Sequence, residues 1–354
     1  MISDRVLALV RCPDCRGPLG GSVDALVCES CGHRFGGGAP AYLDMRPHVD
    51  FEERTKYLDE ALHADARHER VSPPFLGSKV RNDMLRAFLA PTPGDRVLDL
   101  GCGSGRALLW NRDWRSTMAG IDIAPYFAQE ARRDVDLLLG DLRRLPFADG
   151  TFTKAYSLDV LEHLAPEALR AMLAEAARVL APGGQLFVYT HARKNARIAI
   201  ALKWINALAR RLERAGLIDL RQERLRKSDH LNPLADIPEL RRVAAESGFR
   251  IRKIRYYTPI AGGLVENILM RLVERRLARR AQRQAIAVGS SAALTEEDAL
   301  KAARTTGKER IARSPALRAA LAASTALMKL DVVLFGRIES GPFFALLERV
   351  EPRA

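Results

Sequence analysis

No uninterrupted apolar run among the 354 residues reaches the length that spans a bilayer, although 47% of the chain is hydrophobic. The chain is therefore not expected to cross a membrane through a helix, and its apolar residues suffice for a substantial buried core. Nothing at the N-terminus reads as a signal peptide either: residues 1–10 carry Asp4 and Arg5 and run into cysteines. A cytoplasmic location is the expectation. Cysteines are few, five in all, and in a reducing compartment they are thiols or metal ligands rather than disulfides. The length exceeds one typical folding unit.

The run Val97-Leu98-Asp99-Leu100-Gly101-Cys102-Gly103-Ser104-Gly105 carries the most information. It reads as an apolar strand ending in an acid and entering a turn of alternating glycines, where a nucleotide-like ligand can lie against bare backbone. The turn lacks Gly-Lys-Ser/Thr, which excludes a phosphate-cradling nucleotidase, and its glycine spacing differs from the Gly-x-Gly-x-x-Gly of nicotinamide enzymes. Two further short strands end in acids, at Asp122 and Asp141, and residues 153–158 form a fourth.

Over residues 94–189 these segments resemble the class I S-adenosylmethionine (SAM)-dependent methyltransferases. The resemblance implies an α/β fold with a doubly wound, Rossmann-like sheet. It implies that Asp99, Gly101, Gly103 and Gly105 hold the amino-acid end of SAM, Asp122 its ribose, and Asp141 with Leu142 its adenine. Cys102, a small residue inside the turn, is counted with this cofactor-binding set, as are Ile123 and Leu158.

Four cysteines form Cys12-x-x-Cys15 and Cys28-x-x-Cys31, separated by twelve residues. Two such knuckles assemble a closed tetrahedral Zn2+ site, structural rather than catalytic. The segment resembles the ribbon of the small activator subunit of tRNA and rRNA methyltransferases, which argues for RNA, although a ribbon can equally complete a core. His33 is expected at the surface or behind the sulfurs.

In Asp159-Val160-Leu161-Glu162-His163, the Glu-His pair resembles methyltransferases of quinones and other small or lipidic substrates more than rRNA guanine enzymes. His163 is the first candidate general base and His191, ending the fifth strand, the second; a base is needed only if the acceptor loses a proton.

The expected organisation is a zinc ribbon at 1–46, a helical linker at 47–90 placed to fold over the cofactor, and a SAM-binding core at 91–192. A helical insertion follows at 193–236, then the core again at 237–258, a basic helical insertion at 259–340, and the last core strand and tail at 341–354. Both insertions leave the carboxyl ends of strands, on the side where substrate binds. Their amphipathic helices mix arginines with aliphatics, and the chain carries a formal net charge of +13.

That excess suits an anionic membrane surface, RNA, or a solvated cap. The insertions hold few aromatics for stacking bases. The preferred expectation is methyl transfer to a small or lipid-linked acceptor, peripheral on the inner membrane face. The alternatives are rRNA or tRNA base methylation and, in another class, a non-catalytic SAM-binding partner protein.

Overall fold

The computed structural model describes residues 2–36, 41–49, 71–191, 199–220, 234–257, 260–287, 307, 310–311, 313–339 and 341–350. The expected linker over 47–90 and the helical insertions therefore lie partly outside the described residues. In chain order, helix α1 (Asp4–Leu7) precedes strands β1 (Leu19–Ser22), β2 (Ala25–Cys28), β3 (Arg34–Phe35) and β4 (Leu43–Asp44). Helix α2 (Leu76–Leu89) leads into the alternating part: β5 (Arg96–Leu100), α3 (Arg106–Trp110), β6 (Thr117–Asp122), α4 (Gln129–Asp134), β7 (Asp136–Leu139), β8 (Phe152–Leu158), α5 (Pro166–Val179) and β9 (Leu180–His191). Then come α6 (Ala199–Arg214), α7 (Ile237–Glu246), β10 (Phe249–Tyr256), α8 (Ile260–Leu264), α9 (Met270–Ala287), α10 (Pro315–Phe335) and β11 (Pro342–Arg349).

The first three strands form a small antiparallel sheet. The remaining eight form one sheet in the order β10-β11-β9-β8-β5-β6-β7-β4. Strands β4 to β9 within it run parallel, and β11 lies antiparallel between β9 and β10. A parallel sheet must be covered on both faces, so its strands are apolar in succession rather than alternately. Val97 belongs to one core cluster while Leu98 and Leu100 belong to the other. Successive strands fan outward from β5 and β8, and the crevice between their carboxyl ends is where ligands of doubly wound sheets bind.

The ribbon is built into this sheet. Leu43 and Asp44 pair in parallel register with Leu138 and Leu139, so the end of the expected ribbon is an edge strand of the core. Val6, Cys12, Leu26, Phe35 and Met45 share one apolar cluster with Leu98, Phe147 and Leu173. Arg11 N–H donates to the Pro146 carbonyl at 2.9 Å, and Arg16 pairs with Glu175 of α5 at 3.3 Å.

The opposite face carries α2, α3 and α10. Helix α10 buries Thr325, Met328, Asp331 and Val332 and is fastened by polar contacts. Thr325 Oγ1 accepts Leu76 N–H at 3.0 Å, and Asp331 accepts Ala261 N–H at 2.6 Å. Glu266, in a π-helical turn over Val265–Leu269, accepts Gly77 N–H at 2.9 Å. The first N–H groups of α2, which a helix cannot satisfy internally, are thus met by the second insertion. Ile205, Ala209 and Ile268 tie α6 to that insertion.

Candidate active site

The glycine turn takes backbone angles that side chains resist: φ is +78° at Gly101, +52° at Gly103 and +77° at Gly105. A Cβ on Gly101 would lie 2.5 Å from Val160, whereas one on Gly103 would meet no protein atom within 4 Å. The turn is wedged from below and open above, which is the shape of a cradle. Asp122, ending β6, closes its side: one oxygen accepts Gly103 N–H at 2.8 Å and the other Ala124 N–H at 3.0 Å. Burial pushes the Asp122 carboxyl above its usual range, although those N–H groups oppose it.

Asp99 is 2% exposed. Its Oδ2 has no hydrogen-bond partner among the described residues, and burial, with the Asp122 charge nearby, raises its pKa well above normal although the neighbouring Tyr156 hydroxyl opposes it. A buried carboxyl with one oxygen unmet, beside an open glycine cradle, fits a ligand that brings a cation. Cys102 is buried under the turn, with Cβ and Sγ 2.9 Å from where a Cβ of Gly120 would stand. Ile123, Leu142 and Leu158 border the crevice, each half-buried. Arg143 Nε and Nη2 engage the two oxygens of Asp141 at 2.9 and 2.7 Å, which fixes the orientation of the carboxylate at the end of the crevice.

A second constellation gathers beyond β8 and β9. Asp159 lies in left-handed backbone at φ +58°, a conformation aspartate adopts more readily than most non-glycine residues. Glu162 is 1% exposed and accepts the Thr190 hydroxyl at 2.7 Å; burial, with Asp159 adjacent, raises its pKa. His191 Nε2 stands 3.5 Å from Glu162 and 3.6 Å from Asp159. Partial burial pushes the Asp159 carboxyl up, but Arg81 and His191 outweigh it and hold it below the usual range. Arg81 reaches Asp159 at 3.9 Å and lies over the Tyr189 ring, which in turn meets Tyr257 edge-on. His163 closes the short 3-10 turn Leu161–His163, within electrostatic range of Asp159. Sequence reasoning missed Arg81 and Tyr257, which no motif marks, and gave Asp159 no role.

In the ribbon, Cys12 and Cys28 are buried and Cys15 and Cys31 exposed, none in a disulfide. Sulfur separations of 3.7 Å for Cys12 to Cys31 and 3.3 Å for Cys15 to Cys28 approach the ~3.8 Å edge of a tetrahedron with ~2.3 Å bonds. The two knuckles repeat one geometry: Arg16 and Gly32, four residues after the first cysteine of each, both have positive φ. Burial pushes the Cys12 thiol up. At Cys28 burial is outweighed by backbone N–H groups of Cys31 and Ser30, which draw the thiol down to about 6. His33 stands behind the sulfurs, bonded to Asp14 at 2.7 Å, and His48 joins the same carboxylate at 2.8 Å.

Residues 98–188 match the family model described as a methyltransferase domain, and residues 3–35 that of Trm112p-like proteins. The chain thus carries a methyltransferase domain over residues 98–188, preceded by a Trm112p-like segment over residues 3–35. Among curated proteins it is similar to "Probable tRNA methyltransferase 9B" of Mus musculus, 33% identical over 162 residues that cover 43% of this chain and 36% of that one. It is also similar to 24-methylenesterol C-methyltransferase 2 of Oryza sativa subsp. japonica, 27% identical over 188 residues, covering 50% and 47% of the two chains. Among solved structures it is similar to phosphoethanolamine N-methyltransferase 2 of Haemonchus contortus in complex with SAM, at 16% identity and a TM-score of 0.47, covering 90% of this chain and 62% of that one. The chain spans between about a third and a half of the length of these curated relatives.

Proposed function

We propose that this chain transfers a methyl group from SAM to a small or lipid-linked acceptor presented at an anionic membrane surface. When bound, SAM supplies an electrophilic methyl group on a sulfonium. The glycine turn with Asp99 would bind its amino-acid end, Asp122 with Ile123 its ribose, and Asp141, held in place by Arg143, with Leu142 its adenine. Leu158 would wall the crevice. The acceptor would sit beyond β8 and β9 among Tyr189, Tyr257 and Arg81, and in-line displacement asks chiefly for such positioning. Where the acceptor must lose a proton, His163 would receive it, with His191 second.

The observation that carries the choice of acceptor is the outer face of α10. Leu327, Leu330, Val333 and Leu334 are exposed there, Val333 to 78% and Leu334 to 59%. Monomeric soluble surfaces rarely leave so continuous an apolar stripe uncovered. Exposed Trp204 and Leu208 continue this character on α6, and α9 exposes Arg276, Arg280 and Arg283. Exposed aliphatics and arginines on these helices suit a headgroup boundary. No described helix is long and apolar enough to cross a membrane.

RNA is the second reading, favoured by the similarity to the mouse protein and by the Trm112p-like match. Transfer of labelled methyl from SAM into a cell extract, separated into lipid, small-molecule, RNA and protein fractions, decides between them. Label in the lipid or small-molecule fraction supports the proposal, and label in RNA replaces it with the second reading.

A further inference from the structure

The turn that follows β8 brings three side chains around one point. The left-handed Asp159 reverses the chain, and the 3-10 turn carries Glu162 back beneath the end of β9, where His191 projects. His191 Nε2 lies 3.6 Å from Asp159 Oδ1 and 3.5 Å from Glu162 Oε1, and the three atoms all fall within 4.8 Å of one another. These gaps exceed ordinary N–H···O hydrogen bonds, which cluster near ~2.9 Å. They come close to the spacing of donors sharing one ion: bonds of ~2.1 Å meeting at roughly 90–110° set neighbouring ligand atoms ~3.0–3.5 Å apart.

Each carboxylate sets one oxygen nearest His191 and turns the other toward a different partner. Thr190 donates to Glu162 Oε2, and the nearest cation to Asp159 Oδ2 is Arg81 at 3.9 Å. Partners of this kind are what orient metal-ligating carboxylates. Glu162 is buried at the edge of a crevice with a second carboxylate adjacent, and an uncompensated charge in such a place is costly.

We propose that Asp159, Glu162 and His191 bind a divalent cation of the Mn2+ or Zn2+ kind. Two carboxylate oxygens and one imidazole nitrogen make a mixed donor set that takes such ions, unlike the all-sulfur set of the ribbon, which selects zinc. Three protein ligands leave coordination positions open toward the crevice. The binding itself stands apart from the proposed function. The ion's role rests on it: the open positions would take an acceptor that presents an anionic oxygen. An ion here occupies Nε2 of His191 and leaves His163 as the proton acceptor.

The test uses the full chain with zinc already stoichiometric in the ribbon. Mn2+ is titrated in, and uptake is read as loss of the free-ion electron paramagnetic resonance signal. One equivalent is expected to bind, and Asp159→Asn is expected to weaken it at least tenfold. Asparagine tolerates the left-handed backbone at this position, so this variant keeps its fold. Glu162→Gln, at a buried site, serves as a second variant. Absence of uptake by the zinc-loaded wild type, or equal uptake by Asp159→Asn, overturns the inference. Calorimetry of SAM on the same wild-type sample reads the methyl-donor site separately, so failure of one is not failure of the other.

Discussion

Leu43 lies in parallel register with Leu138, so the segment that follows the four cysteines is a strand of the methyltransferase sheet. Cys12, a zinc-type ligand, shares one apolar cluster with Leu98 at the centre of that sheet. The metal site and the cofactor domain are therefore parts of one cooperative unit.

Cys12→Ser should accordingly release zinc and destabilise the whole molecule. Structural zinc contributes on the order of 10 kcal/mol in small ribbons, and even partial loss should lower the single thermal transition by well over 5 °C. Calorimetry with metal analysis checks this. Full zinc retention, or an early separate transition for the ribbon, would count against it.

The two ends of the glycine turn should respond differently to alanine. At Gly101 the new Cβ would press on Val160 at 2.5 Å, so Gly101→Ala should lower stability by more than the ~1–2 kcal/mol of left-handed strain alone. At Gly103 the new Cβ would meet no protein atom within 4 Å, so Gly103→Ala should bear only that strain yet weaken SAM at least tenfold by filling the cradle. Thermal melts and SAM titrations of the pair separate the two effects.

Asp122→Ala should abolish measurable SAM binding in calorimetry. Its carboxylate spans Gly103 and Ala124, so the loss falls on the cradle's shape as well as on contact with a ribose. Wild-type affinity in this variant would remove Asp122 from the site.

Asp83 joins α2 to α10 by pairing with Lys329 and sits beside Lys79 of its own helix. Burial pushes its carboxyl up, but the two lysines outweigh burial and hold it below the usual range. A carboxylate depressed in the folded state adds stability above its unfolded pKa of ~3.9, and that stability is lost as pH falls below it. The melting temperature should therefore drop more between pH 5 and pH 3 in the wild type than in Lys329→Ala. For a partly exposed pair the difference at neutral pH should stay within about 1 kcal/mol. Parallel slopes for the two proteins would deny the linkage.

Much of this molecule is legible in its sequence where one physical constraint acts on neighbouring residues. The glycine turn reads clearly because backbone angle and ligand approach both require glycine at fixed spacing. The four cysteines read equally well, since each knuckle closes within five residues. Helix α7 and strand β10 lie within 237–258, the range expected for the resumed core, and strand β11 lies within 341–354, the range of the expected last strand. Strand β4 was hidden, because two residues carry no periodicity and its pairing with β7 is settled only by the ribbon's docking. Arg81 was hidden for a related reason: it reaches Asp159 from a helix with no motif, positioned by caps from Thr325 and Glu266 that are remote in sequence. The lock of Arg143 on Asp141 depends on a loop conformation that residue types do not dictate.

Placing β4 outside β7 also settles how the molecule ends in its hydrogen-bonding direction. One margin of the sheet is finished by a strand of two residues, too short to template another chain. The other margin, β10, exposes Arg250, Arg252 and Lys253, charges that repel an incoming strand of like kind. Copies of this protein are thus discouraged from joining edge to edge into extended sheets.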